Sequence, residues 1–489
     1  MSLLSQPPRR RADASPTLVM VIVCAGVVLA SLDLFIVNVA LPDIARDLHT
    51  HSLSSLSWVL NAYAIVYAAM LVLLGRLSES HRRENGFLLG VALFTVASAA
   101  CGLADDLTML VAFRVLQAIG AALLTPTSLS LVLATTSPER RHGAVRAWTA
   151  IGGLAAALGP VVGGLLVAAS WRWVFLVNVP IGIAAVLVGW RRLPRVEGHP
   201  VPRPDALGAV LVTAGVAALS LGLVKGNDWG WGSAATVVSL VGAVIALGLF
   251  ALHCARHHNP LIDGALFKVR TFSGSSLVAL VFSVGFGAML LSVVLWDQNV
   301  WGWSALQTGL AVAPGPLMVP LFSFLVAGRL ITRFGPGPVI GVGAAIFAAG
   351  VAWWALAAGL HPDYTGDMLG GMLLSGVGVG LTLPTFMATG ASSLPPQSFA
   401  TGSAVVNMLR QVGLAVGVAV LVAVLGNPGS PAGELAAFRH GWEMIAGVSL
   451  AAALAGVVLL RAPRRATATA SGAGRGRRSP LWIRRPGGC

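Results

Sequence analysis

Two ionisable side chains sit where the sequence is otherwise apolar. Asp33 lies in the run Ser31-Leu32-Asp33-Leu34-Phe35-Ile36-Val37-Asn38-Val39-Ala40-Leu41-Pro42, and Arg114 opens Arg114-Val115-Leu116-Gln117-Ala118-Ile119-Gly120. A charge in the middle of a membrane helix costs about 2.5–3.5 kcal/mol on insertion scales, so each demands a partner or a use. Asp33 falls seven residues before Ala40 and Arg114 seven after Leu107, the expected outer ends of their spans. At 1.5 Å per residue both then lie roughly 10 Å below the outer surface, a shared depth that allows a direct or water-bridged pair. Such a pair has two uses. It can be a purely structural bridge, or it can hold a carboxylate whose proton is exchanged during transport, since burial favours the neutral form and a guanidinium the charged one.

Further along, Gly152, Ala156, Gly159 and Gly163 recur at i, i+4, i+7 and i+11, one face of a helix that also carries Pro160 and Gly164. Small residues let a second backbone approach closely, and proline removes a backbone donor. Asp297 and Gln298 close another apolar run, where they line a cavity or cap the helix in water, and Arg410-Gln411 interrupts a third, as a cavity-lining or snorkelling pair. Tyr63, Tyr67, Trp296 and Trp301 would stack on an aromatic or cationic substrate, or form an interfacial belt. No residue set reads as catalytic. The histidines lie mostly in loops without metal-ligand spacing, the four cysteines are scattered, and no Walker A loop is present, so neither a metal, a cofactor nor ATP is expected.

These residues must be positioned by membrane helices. Of 489 residues, 56% are hydrophobic and 10% charged, with a mean hydropathy of +0.82; a soluble chain carries roughly 25% charged residues. The apolar residues cluster in runs long enough to span a bilayer. Fourteen such spans are expected: 17–40, 55–75, 86–104, 107–133, 146–168, 174–190, 206–225, 234–252, 272–297, 308–330, 338–360, 368–390, 402–425 and 441–460. The net charge of +14 does not point to nucleic acid, because the basic residues sit in loops, where they orient the chain. With the N-terminus inside, the outer segments hold only Arg46, Arg172, Lys225 and Arg439, and the arginine-rich tail after Arg461 returns to the cytoplasm. Both termini are therefore expected to be cytoplasmic.

The chain also repeats itself. Gly75-Arg76-Leu77 recurs as Gly328-Arg329-Leu330, and Gly120, Leu123, Pro126 and Thr127 recur as Gly378, Leu381, Pro384 and Thr385. The offsets, 253 and 258 residues, imply two related six-helix halves, a secondary-transporter architecture. The expected organisation is an N-terminal tail (1–16), a first half (17–190), two inserted helices with their loops (191–271), a second half (272–460) and an arginine-rich tail (461–489).

Taken together the motifs resemble the major facilitator superfamily and, within it, the fourteen-helix drug:proton antiporters. Gly159-Pro160-x-x-Gly163-Gly164 is similar to that superfamily's antiporter motif, and Arg114-x-x-Gln117 with Gly120 to its fourth-helix motif. The Asp33 segment ending Ile36-Val37-Asn38-Val39-Ala40-Leu41-Pro42 resembles the first-helix signature of the fourteen-helix branch. Trp58 with Tyr63, and Trp171-Arg172-Trp173-Val174-Phe175-Leu176-Val177-Asn178-Val179-Pro180, add further matches. The loop after the second span departs: Gly75-Arg76-Leu77-Ser78-Glu79-Ser80-His81-Arg82-Arg83 carries Glu79 in place of the family's aspartate and lacks its glycine. The resemblance implies an all-α polytopic bacterial cell-membrane protein, not an enzyme, that exports small amphipathic drugs or antibiotics in exchange for protons by alternating access. It implies Asp33 and Arg114 as the coupling pair, Gly152, Gly159, Pro160, Gly163 and Gly164 as the antiporter face, and Gly75, Glu79 and Arg83 as a gating loop. Asn38, Tyr63, Gln117, Asp297, Gln298 and Arg410 are the candidate cavity residues. The alternative is a dedicated exporter of one endogenous metabolite, such as a siderophore, peptide or amino acid, in the same fold.

Overall fold

The computed structural model describes residues 15–50, 52–137, 140–198, 204–395 and 399–460. The N-terminal arginines and the arginine-rich tail lie outside these residues. Among the described residues there are long helices and no strands. In chain order they are α1 (Pro16–Asp47), α2 (Leu53–Glu79), α3 (Arg83–Gly102), α4 (Leu107–Thr135), α5 (Arg141–Val167), α6 (Trp173–Arg192) and α7 (Ala206–Trp229). There follow α8 (Ala234–Arg256), α9 (Arg270–Val300), α10 (Ala305–Phe334), α11 (Pro336–Ala357), α12 (Tyr364–Ser392), α13 (Phe399–Leu425) and α14 (Pro431–Leu459). Thirteen helices among the described residues are long and apolar enough to cross a membrane. The 27-residue α5, with Pro160 inside it, occupies the place of the expected fifth span.

Polar residues start many of these helices by satisfying their free N–H groups. Asp106 accepts from Met109 N at 2.8 Å, Asp205 from Gly208 N at 2.8 Å, and Ser304 and Gln307 form a reciprocal capping box. The first helix runs seven residues past its expected end at Ala40, reaching Asp47. Pro42 does not stop it. Arg46 bonds back to the Pro42 carbonyl at 3.4 Å and pairs with Asp43 at 2.6 Å, which supports the last turn. Likewise α14 begins at Pro431 rather than 441, with Ser430 accepting from Gly433 N.

The packing repeats with a period of eight helices. α1 lies on α5 as α9 lies on α13, α3 on α4 as α11 on α12, and α3 on α6 as α11 on α14. The repeat reaches single residues. A Cβ on Gly120 would come within 2.5 Å of the Phe94 nitrogen and 2.9 Å of the Gly90 carbonyl; one on Gly378 would meet Phe347 N at 2.5 Å and Gly343 O at 2.6 Å. Glycine is required at both because two helix backbones touch. The six-helix sets meet through α2 against α13 and α5 against α10. α7 packs on α2 and α13, whereas α8 packs mainly on α7; Val238, Val244 and Ile245 of α8 are exposed, as suits a lipid-facing helix.

Candidate functional site

Asp33 and Arg114 form a direct ion pair, Nη1 to Oδ2 at 2.5 Å, with both side chains buried. The pair joins α1 to α4, which pack against each other. Gln117, one turn after Arg114, donates Nε2 to the other Asp33 oxygen at 2.8 Å and accepts from Arg114 Nη1 at 2.7 Å. Arg114 Nε donates to the Val59 carbonyl of α2 at 3.1 Å, and its guanidinium lies 4.1 Å from the Tyr63 ring centroid. Tyr63 therefore holds the arginine rather than standing free in a cavity; it stacks in turn on Tyr67.

The network extends further than the sequence indicated. Gln117 Nε2 and Asn178 Nδ2 both donate to Ser98 Oγ at 3.1 Å, and Ser98 donates to the Phe175 carbonyl at 2.9 Å. Hydrogen bonds from one carboxylate thus tie α1, α2, α3, α4 and α6 together. Ser98 carried no signal of its own, and Asn178 only its place in the tryptophan-rich segment. A buried charge pair survives when its remaining lone pairs and protons are satisfied, and losing one partner costs about 3–5 kcal/mol.

The glycine face of α5 packs directly beside this pair. Gly152 approaches Val27 and Ser31, Gly159 approaches Phe35, and Gly163 approaches Ile36, all of α1. Gly164 points elsewhere: a Cβ there would come within 2.6 Å of the Ala305 carbonyl of α10, and Gly309 of α10 presses on Pro160. One helix therefore touches the aspartate-bearing helix on one side and the second helix set on the other. Gly153, by contrast, has nothing within 4 Å.

The other candidates are dispersed. Asn38 lines a small cavity of about 30 Å³ that also touches Arg114 and donates to Leu34 O at 3.1 Å. Asn61, absent from the sequence candidates, lines the same cavity, and both its polar side-chain atoms are buried without a partner. Gln298 bonds the Val39 carbonyl across the α9–α1 contact at 2.9 Å. It also lines a cavity of about 920 Å³ between the ends of α1, α5, α9 and α10. That larger cavity does not reach the ion pair. Asp297 is buried in a π-helical turn, its Oδ1 unpartnered, and lines neither cavity. Arg410 is partly exposed in mid-helix. Trp296 and Trp301 form no belt: Trp296 is fully buried against Trp301, Phe438 and Trp442.

In the loop after α2, the side-chain contacts fall on neighbours of the expected residues, while the Arg83 backbone N–H donates to the Val196 carbonyl at 3.1 Å. Arg76 donates to Asn259 Oδ1 at 3.2 Å and the Pro260 carbonyl at 3.0 Å, and Glu84 accepts from Val196 N at 2.9 Å. Glu79 joins no ion pair among the described residues, and Arg83 Nε is buried without a partner. The sequence singled out no metal-ligating set, yet Asp205, His253 and His257 bring ligand atoms within 4.8 Å of one another; the four-residue spacing of His253, in the last turn of α8, and His257, just after its end, was the signal. The Asp205 oxygens are already taken by Gly208 N–H, Leu261 N–H and the His253 ring. Burial alone would raise this carboxyl, but those donors outweigh it and hold it below the usual range, so it serves as a helix cap.

Such a bundle of membrane-length helices in two packed sets, the first tied together by a buried ion pair, defines a polytopic membrane transporter fold. The chain belongs to the Major Facilitator Superfamily, which it matches over residues 23–418. It is 35% identical over 457 residues to the cephamycin export protein CmcT of Amycolatopsis lactamdurans, covering 91% of this chain and 92% of that one. It is 34% identical over 417 residues to the tetracenomycin C resistance and export protein of Streptomyces glaucescens, covering 84% and 76%. Among solved structures, an auto-inhibited POT family peptide transporter superposes with a TM-score of 0.64 at 20% identity, covering 90% of this chain and 96% of that chain; this likeness concerns the fold.

Proposed function

We propose that the protein is a proton-coupled exporter of small amphipathic antibiotics or drugs, a drug:proton antiporter working by alternating access. The observation that carries this reading is the buried Asp33–Arg114–Gln117 cluster lying against the α5 glycine face, which also touches α10. Protonation of Asp33 removes the charge that holds the guanidinium. Arg114 then keeps Val59 O, Gln117 and the Tyr63 and Phe175 rings, and α1 is freed to shift against α4 and α5. Because α5 reaches the second helix set, that shift is passed to the face where the sets meet. The proton gradient supplies the energy, with no cofactor and no ATP.

In this reading the halves are 17–190 and 272–460, the pair within 191–271 is inserted between them, and both termini face the cytoplasm of a bacterial cell. Two relatives are each named for one antibiotic, tetracenomycin C and cephamycin, which favours a dedicated antibiotic exporter over transport of a siderophore, peptide or amino acid.

Asp33→Asn keeps the shape of the protonated side chain and tests the assignment. In proteoliposomes with an imposed pH gradient, the wild-type protein is expected to move tetracenomycin C or cephamycin uphill and to release protons on antibiotic addition. Asp33→Asn should insert normally yet lose both. Full proton-driven transport by this variant would move the coupling site to another acid, with Asp297 the next candidate.

A further inference from the structure

The helix pair α7–α8 carries a cluster of donor atoms that the export reading does not use. Asp205 stands before the first turn of α7, His253 in the last turn of α8 and His257 just past its end. One ligand atom from each lies within 4.8 Å of the others, the only such group among the described residues. His253 Nε2 and Asp205 Oδ1 are 2.9 Å apart, and the two imidazole rings stack with centroids 4.8 Å apart.

Each member is prepared for a metal ion in its own way. Two donors on one tetrahedral zinc, each at about 2.0–2.2 Å, stand roughly 3.3 Å apart, so His253 and Asp205 already lie close to that spacing. Asp205 is buried, and against the cost of burial the Gly208 and Leu261 N–H groups help to keep its carboxylate ionised. Such outer hydrogen bonds are what orients a metal-ligating carboxylate. His257 is exposed, and the bond its Nδ1 accepts from Asn259 N–H is long, 3.2 Å, so its ring can turn onto an ion at little cost.

We propose that Asp205, His253 and His257 bind a divalent transition metal, zinc by preference, with water in the remaining position. Two imidazoles and one carboxylate suit zinc, whereas magnesium takes oxygen ligands. The ion replaces the proton between His253 and Asp205 and pins the end of α8 to the start of α7. Its effect reaches the segment that follows. Leu261 N–H bonds Asp205, while Arg76 at the end of α2 holds Asn259 Oδ1 and the Pro260 carbonyl. Occupancy therefore stiffens the loop that joins the α7–α8 pair to α2. The inference does not depend on the direction or the cargo of transport.

The test is calorimetric titration of the purified full-length protein, freed of any histidine tag, with zinc chloride and with magnesium chloride, beside thermal unfolding in detergent. The wild-type protein should bind one zinc ion saturably, unfold at a higher temperature in its presence because only the folded chain holds the site, and show no saturable uptake of magnesium. His253→Ala and His257→Ala should each weaken zinc binding about tenfold or more, since even outer partners of a metal ligand are worth about 10–100-fold in affinity. His258→Ala, beside the cluster, should leave binding unchanged. His257 is exposed beyond the helix end, so His257→Ala without zinc should unfold at the wild-type temperature, which separates a lost ligand from a damaged fold. No saturable zinc binding, equal binding of magnesium, or zinc binding that survives both His253→Ala and His257→Ala overturns the proposal. Each of these results is independent of the Asp33→Asn experiment, which bears on the coupling assignment alone.

Discussion

Removing one member of a buried charge pair strands the other, and that cost exceeds what the pair contributes net. Arg114→Ala would leave the Asp33 carboxylate facing only Gln117, inside a segment where it has no access to water. The expected loss is about 3–5 kcal/mol of unfolding free energy, measured by denaturant titration of the purified protein in detergent. Asp33→Asn combined with Arg114→Ala should be more stable than Arg114→Ala alone, because no charge is then left unpaired. Equal stability of the single and double variants would show that the bridge holds nothing. The residues of this pair were legible in the sequence because charges are expensive in apolar runs. Ser98 and Asn61 were not, since a serine or asparagine in a membrane helix is common and only its neighbours tell whether it is satisfied.

Helix α5 matters through its two small-residue faces. The spacing of Gly152, Gly159 and Gly163 announced one of them, and α1 fills it. Gly164 lies off that stripe and contacts α10, a partner remote in sequence that periodicity cannot name. Gly164→Leu should push α5 away from α10 and lower export about tenfold or more, as overpacking costs about 1–3 kcal/mol. Gly153→Leu, with open space around it, should retain export close to the wild-type rate. Transport of a trial antibiotic into inverted vesicles compares the two. If both variants behaved alike, contact between α5 and α10 would have no part in the transport cycle.

At the scale of the molecule, the proposed topology counts α5 as a crossing beside the thirteen membrane-length helices, so that the number of crossings is even and both chain ends lie on one side. The turn between α7 and α8, around Gly226–Gly232, should then be reached by a membrane-impermeant label from outside, and a tag after Arg461 only from inside. Reaching both from the same side of intact cells would contradict the fourteen-span arrangement. The exposed, apolar α8 fits a helix that lies at the lipid boundary of α7, outside the contacts that join the two helix sets.

Composition, apolar run length and the distribution of arginine were enough to establish a polytopic helical protein, the approximate spans and the repeat, because each depends on local hydrophobicity or on residues matched at one offset. They also singled out Asp33, Arg114 and the α5 glycines, whose chemistry is out of place or whose spacing is regular. Tertiary structure decided the rest. It chose a direct bridge between Asp33 and Arg114, gave Tyr63 to the arginine, and engaged the side chains of Arg76 and Glu84 beside the backbone of Arg83. It also left the Asn61 amide without a hydrogen-bond partner beside the small cavity between α2 and α13. The physical reason is that a polar group in a membrane protein is defined by what satisfies it, and its partner belongs to another helix.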